Sequence, residues 1–572
     1  MKILIKKIGL ILMLVFISVN CSDFDEINER PDAFTSDEVS AKYFLTSTQI
    51  ELYAPNRYPY WRAQLIHADR FAGQFTFGHS GSWWSDGLAY TYSSGYTDAS
   101  YDWAALYVGK LTTYLNFVKE GGDLENERYY AIGLIMKGLY YQMYTDIFGM
   151  VPYSEATNPD IITPKFDTQA VIYQGVIGEL DQAMQIIGDH TNTGEGVDLL
   201  TKNDLFFNGD LQKWKKLANT LKLRMGLRAQ GASESGFADT AINEALQSEL
   251  LTMFDDNVLM EKDPDIIQWS NAAYGDVWHN FGGFGSKWSV GETLINYLQD
   301  NNDPRLSKYA KPIEGGEVTF TKPESERDKF DKRLNFILSK LDHADVVYTR
   351  VDKTIVDENG NEKDIVIITI SSDVEYFVGQ PTRLNSEIKS LANHNFFSDP
   401  ADLIINAKNQ GNPIFPEIVM TAAEGNFLQA EAIAKGLYAG DAQSFYQEGI
   451  RQAMKIWDVD DAFIEEFIAN EDMALLNGTP EKNMEKIAIQ RWIVSYTDGF
   501  EAWAIVRDTG YPSELAAGVS DKDIFSLGTL NGAYPQRMRY GNTAYNTNGD
   551  NTSAAVSIQG PDEQKTKLWW AK

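Results

Sequence analysis

Residues 207–228 read FNGDLQKWKKLANTLKLRMGLR. Within them Leu211, Trp214, Leu217, Leu221 and Met225 recur at steps of three and four. At 3.6 residues per turn these positions share one stripe, so the stretch reads as a helix that buries that stripe. The basic set Lys213, Lys215, Lys216, Lys222, Arg224 and Arg228 reads as its exposed face, paired with nearby acids. The other reading of that set is a docking face for a partner.

The same period recurs on both sides of this helix. Ile132, Ile135, Met136, Leu139, Met143 and Ile147 form one stripe, and Ile172, Val176, Leu180, Ala183 and Ile187 another. Phe427, Ala430, Ala434 and Leu437 form a fourth. Further helices are expected near 441–457, 461–475 and 481–507. Asp167 and Thr168, and also Asp441, are candidate N-caps, and Gly149 before Pro152 is a candidate stop. Between the helical blocks, DVVYTRVDKTIVDENGNEKDIVIITISSD (345–373) reads as two strands around an Asn359-Gly360 turn. Residues 264–290, 371–415 and most of 510–570 read as loops. The expected fold is therefore mainly α: paired helices as the frame, a long loop-rich side and a small β-hairpin. No clean 34-residue repeat is present, although helix pairs of this length can stack as repeat units.

The front of the chain carries a different signal. Lys2, Lys6 and Lys7 precede an apolar run from Ile8 to Val19, the length of a signal-peptide core and too short to span a bilayer. Cys21, the only cysteine, stands where that run stops, after Ser18-Val19-Asn20. A lipoprotein signal over residues 1–20 would place diacylglyceryl on the Cys21 sulfur; a conventional signal with an inert cysteine is the alternative. Ser22, Asp23, Phe24, Asp25 and Glu26 then begin an acidic tether over 21–40. These acids resemble the export tag that sends some lipoproteins to the cell surface. They also fit a plain polar linker. Residues 41–572 read as a single domain, with loop and hairpin insertions at about 264–415.

A net charge of −31 repels nucleic-acid phosphates, so a nucleic-acid partner is not expected. Forty-three per cent hydrophobic residues supply a large core, and one cysteine allows no internal disulfide. The six histidines stand at least 12 residues apart, which rules out a local zinc-helix motif. GGFGSKW (282–288) lacks phosphate-loop spacing, and DENGNEKD (357–364) has its glycine too early for a calcium loop. Glu424 and Glu431 are two turns apart on one helix and read as a solvated or salt-bridged face. A glycosidase pair assembled by folding is left open.

Aromatic loops carry the strongest ligand signal. In WWSDGLAYTYSSGYTDASYDW (83–103), seven of 21 residues are Trp or Tyr, with no helical stripe to send them into one core. A second group lies at 269–288. Sugar rings stack on such planes while neighbouring amides and hydroxyls orient their hydroxyl groups. The candidate ligand residues are Trp83, Trp84, Tyr90, Tyr92, Tyr96, Trp269, Tyr274, Trp278, His279 and Trp288.

Several stretches in order resemble the SusD/RagB-type outer-membrane lipoproteins. They are YTDIFGMVPYSEA (144–156), PKFDTQAVIYQGVIGELDQA (164–183), residues 207–228 quoted above, and DPRL (303–306). FLQAEAIAKG (427–436), QRWIVSYTDGFEAWAIVRDTGYP (490–512) and LWWAK (568–572) complete the set. Met150 stands where the family's corner usually has an acid. The resemblance implies a tetratricopeptide-like helix-pair scaffold and a non-catalytic protein. It also implies a partner, a SusC-like TonB-dependent outer-membrane transporter, over which the protein sits as a lid admitting oligosaccharide or peptide. No cofactor and no metal ion is expected. The location implied is the outer membrane, lipid-anchored and surface-exposed. An envelope hydrolase or peptidase, and a purely structural helical-repeat adaptor, are the competing readings.

Overall fold

The computed structural model describes residues 39–82, 85–158, 160–262, 272–281, 287–406 and 414–571. The expected lipoprotein signal, Cys21 and nearly all of the expected tether therefore lie outside the described residues.

The helix that opened the sequence reading spans Leu211–Ala229. The Asp210 side chain starts it, accepting hydrogen bonds from the backbone N–H of Gln212 at 2.9 Å and Lys213 at 3.2 Å. Its predicted stripe is fully buried. The expected exposed face is not exposed over its second half. Lys222, Arg224 and Arg228 are buried, because the helix packs against Glu127–Phe148, Gln169–Ile187, Ala238–Leu246 and Ala422–Ala434. The pairing with acids does hold: Lys222 Nζ reaches Asp181 and Glu244 at 2.6 Å each, and Arg224 grips Glu424. Glu424 and Glu431 correspondingly sit inside, salt-bridged to Arg224 and Arg491 and not solvated.

Helices that follow one another in sequence pack side by side. Ser94–Val118 lies on Glu127–Phe148, which lies on Gln169–Ile187, which lies on Leu211–Ala229. Gly138 sits where three of them cross; a Cβ there would meet Leu180 at 3.0 Å and Leu221 at 3.2 Å. In the C-terminal block Ala422–Ala434 packs on both Ala442–Ile456 and Pro480–Val494, and Gly499–Thr509 lies on Pro480–Val494. Thr168 and Asp441 cap as expected, and Gly149 (φ 86°) ends its helix. The helix expected over 481–507 is two helices, broken at Thr497, whose φ of 76° is rare for a β-branched residue.

Elsewhere the structure adds order where loops were expected. The hairpin forms from Tyr348–Val356 and Glu362–Ile370, and a third strand, Gly316–Thr321, joins its far side. One face of this sheet packs on Arg327–His343 through a separate apolar cluster that includes Phe320, Leu334, Ile337 and Ile368. Asn542–Gln559 is a helix with a break at Asn548. Its Asn, Thr and Gly content disguises it. Long-range bonds support it: Asn548 Nδ2 donates to Pro164 O at 2.6 Å, and Gln559 Oε1 accepts from Met150 N at 2.8 Å. Among the described residues, no helix is long and apolar enough to cross a membrane.

Candidate ligand-binding surface

A two-residue ladder brings the aromatic stretches together. Phe75–Thr76 pairs antiparallel with Ser289–Val290, so segments more than 200 residues apart become neighbours. Several predicted site residues pack into this junction. Trp288 is fully buried, edge-on to Trp278 at 4.7 Å and to Phe77 at 6.1 Å. Tyr274 is 4% exposed; its hydroxyl lies within hydrogen-bond distance of Gln64 Oε1 at 2.8 Å and Asp69 Oδ2 at 3.0 Å. Tyr90 is 2% exposed, covered by the Arg383 guanidinium 4.1 Å from its ring centre. Enclosed rings brace the loops in this conformation. Trp278 is 8% exposed. Trp83, Trp84 and Trp269 lie outside the described residues.

Other predicted residues reach the surface. His279 is exposed, with Nε2 2.7 Å from Ile405 O. Tyr92 is half-buried beneath Arg539, whose guanidinium is 4.3 Å from the ring centre. The Tyr92 hydroxyl donates to Asp98 and accepts from Asn542 Nδ2 at 3.1 Å. Ring, carboxylate and amide side by side form a composition suited to a polyhydroxylated ligand. The absence of a stripe in 83–103 misled the reading of its second half. Residues 94–103 are helical, within Ser94–Val118, and send Tyr101 inward while Tyr96 stays half-exposed.

Tyr96 belongs to a larger aromatic platform that the sequence reading missed. Trp61 meets Tyr96 edge-on at 5.8 Å and Tyr58 at a tilt at 6.2 Å, and Tyr58 is 50% exposed. The Arg62 guanidinium lies 4.7 Å from the Tyr58 ring centre and 5.1 Å from that of Trp61. Trp61 and Arg62 sit on Pro59–Ala68, a π-helical segment; such winding is rare and frequent at functional sites. Arg57, in the loop just before, pairs with Asp276 at 2.7 Å, tying the platform to the Tyr274–Phe281 helix. The signal was present in NRYPYWR (56–62), where three aromatics flank a proline.

Beside the platform a small funnel runs inward. It has a volume of about 60 Å³ and is rimmed by half-buried Tyr53, Trp103 and Phe500. Trp103 stacks on Phe500 at 5.9 Å. Asp146, Arg224, Asp498 and Glu501 line it deeper in. Burial pushes the Asp498 carboxyl up to about 7. Among the described residues, no group of three or more His, Cys, Asp or Glu is placed to hold a metal ion.

No curated protein matches this chain in sequence. Solved structures do share its fold. A chitin-binding protein is 24% identical, with 93% of this chain and 100% of that chain covered and a TM-score of 0.69. A SusD-like protein from Bacteroides thetaiotaomicron is 22% identical, with 93% and 98% covered and a TM-score of 0.67. A chitin-binding SusD homolog from Flavobacterium johnsoniae is 19% identical, with 92% and 98% covered and a TM-score of 0.68. The family model SusD-like_2, described as "Starch-binding associating with outer membrane", matches residues 33–541, and the chain belongs to that SusD-like family.

Proposed function

We propose that this protein captures oligosaccharide at the outer membrane and passes it, chemically unchanged, to a SusC-like TonB-dependent transporter over which it acts as a lid. Residues 1–20 would be its signal, Cys21 its lipid anchor, 21–40 its tether and 41–572 its single binding domain at the cell surface. A tethered lid holds ligand at high local concentration above a pore. The observation that carries the reading is the half-exposed platform of Tyr58, Trp61 and Tyr96 with Arg62 at its edge, on a chain of this family. Trp83, Trp84, Tyr92, Trp269 and His279 are proposed to extend it. Two solved relatives described as chitin-binding support a glycan over a peptide. A hydrolase reading gains nothing from Glu424 and Glu431, since both carboxylates are buried in arginine pairs.

Titration calorimetry with oligosaccharides of starch and of chitin tests the proposal. Saturable binding without released products is expected, and turnover would overturn it. Trp61→Ala should weaken binding by about 1 kcal/mol, or roughly fivefold, the contribution of one stacked aromatic. Wild-type affinity in Trp61→Ala, Tyr96→Ala and Trp83→Ala alike would remove the site from this face. Anchoring has its own check. Cys21→Ala should move the protein from the detergent phase to the aqueous phase; unchanged partitioning would refute the anchor.

A further inference from the structure

The funnel beside the platform has chemistry of its own. Its carboxylates are unequally partnered. Glu424 and Asp146 are held by Arg224 and Arg228, with Arg228 Nη1 2.6 Å from Asp146 Oδ2. Glu417 is held by Lys262 at 2.8 Å. Asp498 has no ion-pair partner among the described residues; Oδ1 only accepts the N-cap bond from Glu501 N at 3.3 Å. Glu501 is 4% exposed; Arg228 holds its Oε1, while Oε2 accepts no hydrogen bond and has only the ion-pair contact to Arg224 Nη1 at 3.7 Å. The Trp103 Nε1, on the rim, is buried and has no acceptor. A buried polar atom left without a partner costs about 1–3 kcal/mol, so the lining is incomplete as it stands.

The unfilled positions define a ligand. One buried carboxylate oxygen, Glu501 Oε2, lacks a donor, the half-exposed Asp498 carboxylate beside it has room for one, and one buried indole N–H lacks an acceptor. The rim is aromatic, which favours a cation passing through. The volume of about 60 Å³ admits a group of a few heavy atoms and excludes a sugar ring, which must stay outside. Thr497, strained at φ 76°, sets the corner that presents Asp498 to the funnel.

We propose that this funnel binds the primary ammonium end of a ligand whose body rests at the aromatic rim, with Asp498 and Glu501 accepting from the ammonium and Trp103 donating to a neighbouring oxygen. Amino sugars carry an ammonium beside a hydroxyl, and peptide N-termini carry one beside a carbonyl. The shared chemistry is an ammonium one or two atoms from an oxygen. The amino-sugar source rests on the glycan-capture reading; the ammonium site itself does not. Burial holds Asp498 near neutrality in its pKa, and an arriving cation would favour its ionised form.

Matched probes test this. At pH 7 and physiological salt, calorimetry would compare the glucosamine trimer with its N-acetylated counterpart, and trialanine with N-acetyl-trialanine. Wild type should bind at least one free-amine form about tenfold more tightly than its acetylated form, as a charge-assisted bond requires. In Asp498→Asn the ratio should fall to within about twofold. Long-range attraction from the −31 net charge is nearly the same in both proteins, so the difference isolates the site. Asn caps a helix as well as Asp does, and Asp498→Ser serves if the first variant does not fold. Preference in the sugar pair alone assigns an amino sugar, and preference in the peptide pair alone assigns a peptide end. Both leave the ammonium site standing. If no glycan binds yet trialanine shows the Asp498-dependent preference, glycan capture fails and this site survives. Equal affinity within both pairs, or a preference that persists in Asp498→Asn and Asp498→Ser, overturns it.

Discussion

Arg228→Ala is expected to destabilise the protein by about 3–5 kcal/mol, the range for breaking a buried ion pair by removing one partner. Arg228 is 1% exposed and bridges two halves of the molecule. One nitrogen holds Asp146 at 2.6 Å on Glu127–Phe148; the other holds Glu501 on Gly499–Thr509. Removing the guanidinium leaves two carboxylates buried where water cannot compensate them. Arg224 and Arg491 are the nearest remaining cations to Glu501, at 3.7 and 3.6 Å, and each is already committed to another acid. Chemical denaturation followed by circular dichroism would measure the loss. Arg451→Ala is the control. Its pair with Glu465 is equally short at 2.7 Å but exposed, and should cost at most about 1 kcal/mol. A loss at Arg228 no larger than at Arg451 would show that the interior network contributes little.

Trp570→Ala should cost a similar amount, about 3–5 kcal/mol, by leaving a cavity of indole size. Trp570 is 1% exposed, and its Nε1 donates to Asp146 Oδ1 at 2.7 Å. Asp146 also accepts from Tyr173 at 2.6 Å, so one carboxylate joins the last residues of the chain to three helices. The guanidiniums of Arg228 and Arg507 lie 5.4 and 5.0 Å from the indole centre. Because Trp570 and Arg228 share Asp146, their double variant should lose less than the two single losses added together. Strict additivity would refute the shared role of Asp146. A destabilisation under 1 kcal/mol for Trp570→Ala would mean that the C-terminal segment is not anchored by this side chain.

Much of the fold was legible because helices write a local period. The stripes at 132–147, 172–187 and 211–225 are buried as read, apart from half-buried Met143, and Thr168, Asp441 and Gly149 act where a cap or stop was expected. The hairpin at Asn359-Gly360 was equally local. Gly360 adopts φ 84°, and Asp357 Oδ1 accepts from the N–H groups of Asn359 and Asn361 at 2.9 Å each. Asn542–Gln559 was not legible. Its support comes from partners nearly 400 residues away, and no propensity records those.

The charged residues mark the same boundary more sharply. Sequence alone determined which residues could form helices, which faces were apolar, and that Arg224 and Arg228 needed acids. It could not show that those faces close around Arg228, because burial depends on helices contributed from both ends of the chain. For the candidate ligand surface, composition pointed to aromatic loops. Only tertiary packing separated Tyr90, Tyr274 and Trp288, enclosed by long-range neighbours, from Tyr92 and Tyr96, left partly open, and set Tyr58 and Trp61 beside the latter. The physical reason is one of range. Backbone periodicity is decided within a few turns, whereas the exposure of a ring is decided by whatever the rest of the chain lays over it.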